Sequence, residues 1–194
     1  MTYLLLTHGA GSNRNAPLLV ALADAFLKHN IQVLRYDLPF RQERAKGPPR
    51  PGDAARDREG LREEIAKLRK KHPGEIWLGG HSYGGRQASM LAAEEPGLAD
   101  RLLLLSYPLH PPGKPGQLRT AHFPKLQTPV LFVHGVRDPF GSSEEFQVAI
   151  ALIPAPVRLL EMEGAGHELG RNATETAARI VSAFLDGNSS GPQA

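Results

Sequence analysis

Residues 79–85, with the sequence GGHSYGG, place a serine where it could act as a nucleophile. Gly80 and Gly84 lie two positions on either side of Ser82, a spacing typical of a sharp strand-to-helix turn that lifts the hydroxyl clear of a sheet. Side chains at the two flanking positions would collide with neighbouring backbone, so glycine is favoured there. The turn would also place the N–H of Tyr83 at the start of a helix, where the dipole favours a developing negative charge. We therefore predict Ser82 as the nucleophile and the Tyr83 N–H as an oxyanion donor.

A serine hydroxyl needs a base that accepts its proton, and two later segments supply partners in a suitable order along the chain. The segment that ends in Asp138 is an apolar run followed by a turn, and the segment that ends in His167 is an apolar run followed by a glycine-flanked turn. We predict His167 as the general base and then the general acid, and Asp138 as the group that orients its imidazole. Glu161 and Glu163 are reserve acids, but both precede the histidine turn.

A second oxyanion donor is expected from the loop after the first apolar run. The sequence HGAG follows that run at residues 8–11, and we assign the donor to the N–H of Ala10. The side chains of His8, His81 and His134 are interpreted as structural. Because no two histidines have the spacing of a metal site on a helix face, we predict no metal and no cofactor.

Short apolar runs alternate with longer amphipathic segments, which predicts a parallel sheet with helices on both faces. The predicted strands are 3–7, 32–36, 75–79, 101–106, 130–133 and 157–162, and the predicted helices are 17–28, 57–71, 83–95, 143–152 and 173–185. Right-handed crossovers bring the carboxyl ends of such strands to one edge, where the candidate residues would meet. We expect loops over 38–55 and 108–128, a single domain over 1–186, and a disordered tail over 187–194.

The composition excludes several classes of protein. A chain of 194 residues with 41% hydrophobic and 22% charged residues suits one globular domain. The absence of cysteine excludes a disulfide framework and a thiolate nucleophile. No segment approaches the roughly 20 apolar residues of a membrane helix and no signal peptide is recognisable, so we expect a cytoplasmic protein without membrane association. The net charge of +3 is small and the basic residues are scattered, so we expect no nucleic-acid partner.

Together, the sequences HGAGS, GGHSYGGR, HGVRDPFG and GAGH resemble the α/β-hydrolase fold, and more narrowly its small dienelactone-hydrolase-like group. The resemblance covers residues 8–167 and implies the catalytic and oxyanion roles assigned above. It also implies a three-layer fold and a serine hydrolase that cleaves a carboxylic ester or thioester of a small-molecule acyl substrate. True dienelactone hydrolases carry a cysteine nucleophile, whereas position 82 is serine, so their substrate is not transferred to this chain.

Two departures from the usual fold concern architecture. The chain begins at the strand before the oxyanion loop, so the first two strands of the fold are expected to be missing, which leaves about six parallel strands. The cap insertion is expected to be reduced to a short loop between Ser106 and Val130, which would leave an open, shallow site. The sequence does not fix the oligomeric state, and a homodimer is compatible with it.

Side chains in strand-end loops are the candidates for walls of a substrate pocket, namely Phe40, Tyr83, Tyr107, Leu109 and Phe123. The basic residues of segment 41–56 could steer an anionic substrate, but a solvated loop is favoured. Arg86, on the helix after the serine turn, could form a buried ion pair.

Parts of the sequence are also compatible with two other functions. Gly9-Ala10-Gly11 followed by Asp37 resembles part of a dinucleotide-binding fingerprint, but Arg14 replaces the third glycine, where close packing matters. A non-catalytic interaction module is the second alternative, since fold does not imply function. A module would have no need of Ser82, Asp138 and His167 together, and a serine hydrolase is therefore favoured.

Overall fold

The computed structural model describes residues 1–186, and the predicted tail at 187–194 lies outside the described residues. The strands are β1 (Thr2–Thr7), β2 (Ile31–Tyr36), β3 (Ile76–His81), β4 (Arg101–Leu105), β5 (Val130–Gly135) and β6 (Val157–Met162). The helices are α1 (Pro17–Leu27), α2 (Pro39–Glu43), α3 (Asp53–Lys71), α4 (Tyr83–Glu94), α5 (Ser143–Ile150) and α6 (Ala173–Asp186). The strands form one sheet in the order β2-β1-β3-β4-β5-β6, and all neighbouring pairs are parallel. This sheet confirms the predicted α/β architecture.

Helices cover both faces of the sheet, because strands buried on both sides need an apolar partner on each. One face packs against α1 and α6, through residues that include Leu22, Phe26, Ile180, Val181 and Phe184. The opposite face packs against α3, α4 and α5, through residues that include Leu61, Ile65, Leu91, Phe146 and Ala149. The central strand β3 is buried at all six positions, which explains its near-continuous apolar sequence.

The segment predicted as a loop over 38–55 contains more helix than expected. Pro39 opens the short helix α2, because its fixed φ suits the first helical position. α3 begins at Asp53, four residues before the predicted start at 57. Gly52 adopts a left-handed φ of 91° just before it, and the Asp53 carboxylate accepts the Arg50 N–H at 2.6 Å. Because of these local interactions, α3 begins before the periodic apolar pattern from which its start was predicted.

The connection between β4 and β5 carries no cap domain, as the sequence predicted. Its regular structure is a 3₁₀ turn at Phe123–Lys125. No helix within residues 1–186 is long and apolar enough to cross a membrane.

Candidate active site

Ser82 occupies the sharp turn between β3 and α4 with a strained backbone, φ 50° and ψ −115°. A Cβ atom at Gly80 would lie 2.6 Å from the carbonyl carbon of Gly84. A Cβ atom at Gly84 would lie 2.5 Å from the backbone oxygen of His8. Both positions therefore require glycine, because any side chain would collide with neighbouring backbone, as predicted from the sequence. The turn holds the Ser82 side chain at the carboxyl edge of the sheet.

The three residues that the sequence singled out lie in one hydrogen-bonded chain. His167 Nε2 is 2.8 Å from Ser82 Oγ, and His167 Nδ1 is 2.7 Å from Asp138 Oδ2. The Asp138 side chain is fully buried, whereas the imidazole of His167 keeps 19% of its surface exposed. The geometry fits a hydroxyl, an imidazole that can accept its proton, and a carboxylate that fixes the imidazole.

The Asp138 carboxylate is held from two sides by groups that suit a charged oxygen. Its Oδ2 faces His167, and its Oδ1 accepts the Phe140 N–H at 2.9 Å. The backbone turns at the end of β5 because the Asp138 N–H donates to the Gly135 carbonyl at 2.8 Å. Asp138, rather than Glu161 or Glu163, is thus the acid that the structure brings to the imidazole.

The backbone of His167 is fixed by two side chains whose roles the sequence did not reveal. The Ser106 hydroxyl donates to the His167 carbonyl at 2.6 Å, and His81 Nε2 donates to the same oxygen at 2.9 Å. Burial lowers the pKa of His81, which keeps its ring neutral. Ser106 directly follows β4, and its left-handed φ of 45° turns its hydroxyl to this task. The sequence signal for this role was the position of Ser106 at the end of β4, the strand next to the one that leads to Ser82.

The glycine-rich loop after β1 lies beside the serine turn, and its Ala10 lines the same cleft as Ser82. A Cβ atom at Gly9 would lie 3.5 Å from the Ser82 Cβ, so the loop is in close contact with the serine turn. The Gly9 carbonyl accepts His8 Nδ1–H at 2.8 Å and the Ser12 N–H at 3.2 Å. Because C=O and N–H of a trans peptide point in opposite directions, the Ala10 N–H points away from these groups.

The buried imidazole of His8 has the structural role that the sequence predicted. Its Nε2 accepts the Leu38 N–H at 3.1 Å, while Nδ1–H is donated to Gly9, so both ring nitrogens are used by backbone. Burial lowers the pKa of His8, consistent with this neutral ring.

In residues 1–186 the N–H groups of Ala10 and Tyr83 have no hydrogen-bond partner, which leaves both able to bind an oxyanion.

An open cleft of about 610 Å³ lies beside Ser82 and His167 on the face of the sheet covered by α1 and α6. Its walls come from the first turns of these two helices and from the loops before them. The lining residues besides the catalytic candidates include Ala16, Pro17, Leu18, Phe140, Arg171 and Ala173. The Phe140 ring also packs on the His167 imidazole, with ring centroids 4.4 Å apart.

The prediction of pocket walls was wrong. Phe40, Tyr107, Leu109 and Phe123 have no exposed surface and pack in the core on the opposite face of the sheet. The Tyr83 side chain also turns to that face, where its hydroxyl donates to Asp57 Oδ2 at 2.7 Å. Position at a strand end fixes the edge of the sheet on which a residue lies, but the face depends on which helix covers it.

The basic segment 41–56 is not a uniformly solvated loop. Arg44 and Arg56 both pair with Asp53, whereas the Arg41 side chain is buried. The buried ion pair that was considered for Arg86 is not formed among residues 1–186, where its buried Nε has no hydrogen-bond partner. No group of three or more metal-ligating side chains occurs among the described residues.

Comparison with known proteins agrees with this fold. The model of a family described as alpha/beta hydrolase domain matches residues 1–183. A serine hydrolase homologue from Coxiella burnetii superposes with a TM-score of 0.77 at 19% identity, covering 94% of this chain and 85% of that one. Est1E from Butyrivibrio proteoclasticus gives 0.76 at 16% identity, with 97% and 88% covered. A dienelactone hydrolase from Anabaena variabilis gives 0.74 at 20% identity, with 96% and 86% covered. At these identities the superpositions show a shared fold.

Proposed function

The chain belongs to the alpha/beta hydrolase domain family, and from that premise we propose that it is a serine hydrolase that cleaves a carboxylic ester through an acyl-enzyme on Ser82. The observation that carries the proposal is the position of the His167 imidazole. Its two nitrogens lie 2.8 Å from the Ser82 hydroxyl and 2.7 Å from the Asp138 carboxylate at the same time. A structural histidine has no need of this arrangement beside an open cleft.

In the first half of the reaction, Ser82 Oγ attacks the ester carbonyl carbon while His167 Nε2 accepts the hydroxyl proton. The Asp138 carboxylate stabilises the imidazolium that forms and keeps Nδ1 protonated. The N–H groups of Ala10 and Tyr83 receive the negative charge on the carbonyl oxygen, and the Tyr83 N–H is aided by the dipole of α4. His167 then gives its proton to the departing alkoxide, which leaves as the alcohol.

In the second half, water attacks the acyl-enzyme with the same groups in the same roles. His167 accepts a proton from the water, the oxyanion donors hold the second tetrahedral intermediate, and the proton is returned to Ser82 Oγ. The products are a carboxylic acid and an alcohol, and the enzyme is regenerated. A thioester would follow the same path with a thiolate as the leaving group.

The cleft favours a small acyl substrate that is only partly enclosed. No cap covers the carboxyl edge in residues 1–186, and the walls from α1 are apolar at Ala16, Pro17 and Leu18. A cleft of about 610 Å³ is in the range of small-molecule sites. We infer that apolar contact along α1 selects the substrate more than enclosure does.

Hydrolysis of p-nitrophenyl esters of graded chain length tests the proposal. We expect turnover by the wild type, and a loss in kcat on the order of 10⁶-fold for Ser82→Ala, as when triad members are removed from other serine hydrolases. Thermal unfolding of the variant should stay close to that of the wild type, because the substitution removes one half-buried hydroxyl and its hydrogen bond to His167. Near-normal turnover by Ser82→Ala would contradict the proposal, and a folded wild type inert toward every ester and thioester would favour the non-catalytic module.

A further inference from the structure

Arg41 is a buried arginine in α2 that the reaction described above does not use. We propose that Arg41 is a positioning residue for the oxyanion loop, defined as residues 9–12, and this proposal rests on the proposed function. Its side chain is only 7% exposed, although arginine is among the residues least often buried without a charged partner. Arg44 and Arg56 pair with Asp53, whereas the Arg41 side chain turns inward to the loop.

The Arg41 guanidinium binds backbone carbonyls from two loops at once. Nε donates to the Ser12 carbonyl at 2.8 Å, and Nη2 donates to the Ala10 carbonyl at 2.8 Å. Nη2 also donates to the Gly47 carbonyl, and Nη1 donates to the Arg44 carbonyl, each at 3.0 Å. This planar arrangement of donors ties the oxyanion loop to the segment after α2, and a lysine could reproduce only part of it.

The two peptides that flank Ala10 are therefore each held by a different side chain. His8 Nδ1–H binds the Gly9 carbonyl, which aims the N–H of Ala10 in the opposite direction. Arg41 binds the Ala10 carbonyl, so the next peptide cannot rotate and carry the N–H with it. An oxyanion donor works only when it points at the developing charge before the reaction begins. Arg41 thereby preserves the direction of the Ala10 N–H.

The charge of Arg41 is also uncompensated. Within residues 1–186 its guanidinium hydrogen-bonds to backbone carbonyls rather than to a carboxylate, and its Cζ lies 4.9 Å from the centroid of the Phe40 ring. Burying a cation without a counter-ion is costly, and an uncharged hydrogen-bond donor at this position would avoid that cost. A positive charge bound to the backbone of the oxyanion loop is most favourable when negative charge appears on the substrate, which is in the transition state.

Steady-state kinetics of Arg41→Met on p-nitrophenyl butyrate provide the first test. Removal of an oxyanion donor from a serine protease lowers kcat by about 10²–10³-fold. A donor that is only loosened should have a smaller effect, so we expect kcat to fall by about 10- to 100-fold. KM should change by less than about threefold, because the loop contacts the transition state more than the bound ester. Butylboronic acid, which forms a tetrahedral adduct with the serine, should bind more weakly by a factor similar to the loss in kcat.

Two further variants separate positioning from folding. Arg56→Met removes ion pairs with Glu43 and Asp53 in the same segment but does not contact the oxyanion loop, so kcat should stay within about twofold. Arg41→Lys keeps the charge with fewer donors, and its kcat should lie between those of Arg41→Met and the wild type. If Arg41→Met does not fold, Arg41→Lys decides alone, with an expected loss of about threefold or more at unchanged KM.

The outcomes distinguish this inference from the function on which it rests. A wild type without esterase activity or boronate binding overturns both. An active wild type with unchanged kcat in folded Arg41 variants overturns the positioning role and leaves the proposed function intact. A loss that appears equally in Arg56→Met, or that appears in KM rather than kcat and boronate affinity, also overturns it.

Discussion

On the face of the sheet covered by α1 and α6, a cleft opens beside Ser82, whereas the strand ends on the opposite face are sealed by aromatic and aliphatic side chains. The cleft face is lined by the first turns of two helices, with small or half-buried residues such as Ala16 and Leu18. The sealed face holds Phe40, Tyr107 and Phe123 without exposed surface. Both sets of residues lie at the carboxyl edge, so edge position alone does not make a residue part of the site.

The difference has a physical origin in how the two faces are closed. On the sealed face, α2 and the 3₁₀ turn at Phe123–Lys125 place large rings over the strand ends. Phe123 packs against Tyr107 and Phe132, with ring centroids 5.4 and 5.8 Å apart. On the cleft face, the part of the loop after β1 that lies beside Ser82 is Gly9, Ala10 and Gly11, whose small side chains leave the space above the sheet open. We therefore expect substitutions on the cleft face to affect catalysis and substitutions on the sealed face to affect the stability of the fold.

The largest expected effect concerns the carboxylate that holds His167. Asp138→Asn keeps the shape of the side chain but offers an amide where Nδ1–H needs an acceptor, so the imidazole would adopt the wrong tautomer. We expect kcat for p-nitrophenyl butyrate to fall by about 10⁴-fold with little change in KM. Glu163→Gln is the matched control, because this exposed acid makes no contact with the imidazole, and its kcat should equal that of the wild type. A loss below tenfold for Asp138→Asn would contradict the assigned role of the carboxylate.

The second prediction tests the sealed face. Phe123→Ala leaves a cavity among buried rings and should lower the free energy of unfolding by about 3–5 kcal/mol, measured by denaturant titration. The kcat of the folded fraction should stay within about twofold, since the ring does not reach the cleft. Leu18→Ala is its counterpart on the cleft face, where KM for longer acyl chains should rise with a smaller loss of stability. The comparison fails if the two variants show the reverse pattern.

A smaller effect is expected at Ser106, which holds the His167 carbonyl together with His81. Ser106→Ala removes one of the two donors, and kcat should fall by about threefold to tenfold while KM is unchanged. Ser106→Gly loses the same hydrogen bond but suits the left-handed φ of 45° better. Equal kcat values with a more stable glycine variant would assign the loss to the hydrogen bond. Wild-type kcat in either variant would show that His81 holds the carbonyl without help.

The smallest predicted effect is a pH dependence of stability from the sealed face. Burial, followed by the charges of Arg86 and Arg58, lowers the pKa of His122 from 6.5 to about 4. Below pH 6.5, His122 of the unfolded chain therefore binds a proton, whereas His122 of the folded chain stays neutral down to about pH 4. The free energy of unfolding therefore falls as the pH is lowered from 6.5 to about 4. Because the ring is partly accessible, the contribution should be only about 1–2 kcal/mol. Unfolding titrations of His122→Gln should show a shallower decline across this window, and parallel wild-type and variant curves would contradict the assignment.

Sequence patterns specified the parts of the site that depend on backbone. The spacing of Gly80 and Gly84 around Ser82 predicts a turn that admits no side chains at these positions, and the structure contains it. The order of Ser82, Asp138 and His167 along the chain, with each at a strand end, predicts that they lie at one edge. The alternation of apolar runs and amphipathic segments likewise predicts the parallel sheet and its two helical layers.

The parts that the sequence did not reveal depend on which helix covers which face. Arg41 lies among other basic residues, so its burial against the oxyanion loop has no periodic signal. Ser106 is one serine among several, and its role depends on a backbone conformation set by tertiary contacts. The aromatic residues Phe40 and Tyr107 were placed at the correct edge and on the wrong face, since strand periodicity near a loop no longer fixes a direction.

Intact-mass analysis after treatment with a fluorophosphonate tests the central claim most directly, because the reagent reacts with a serine only when a base activates it and donors hold its phosphoryl oxygen. We expect one adduct per wild-type chain, mapped to the peptide that contains Ser82, and none on Ser82→Ala. An adduct on His167→Ala should form far more slowly. A folded wild type that forms no adduct, or one whose adduct persists in Ser82→Ala, would contradict the account.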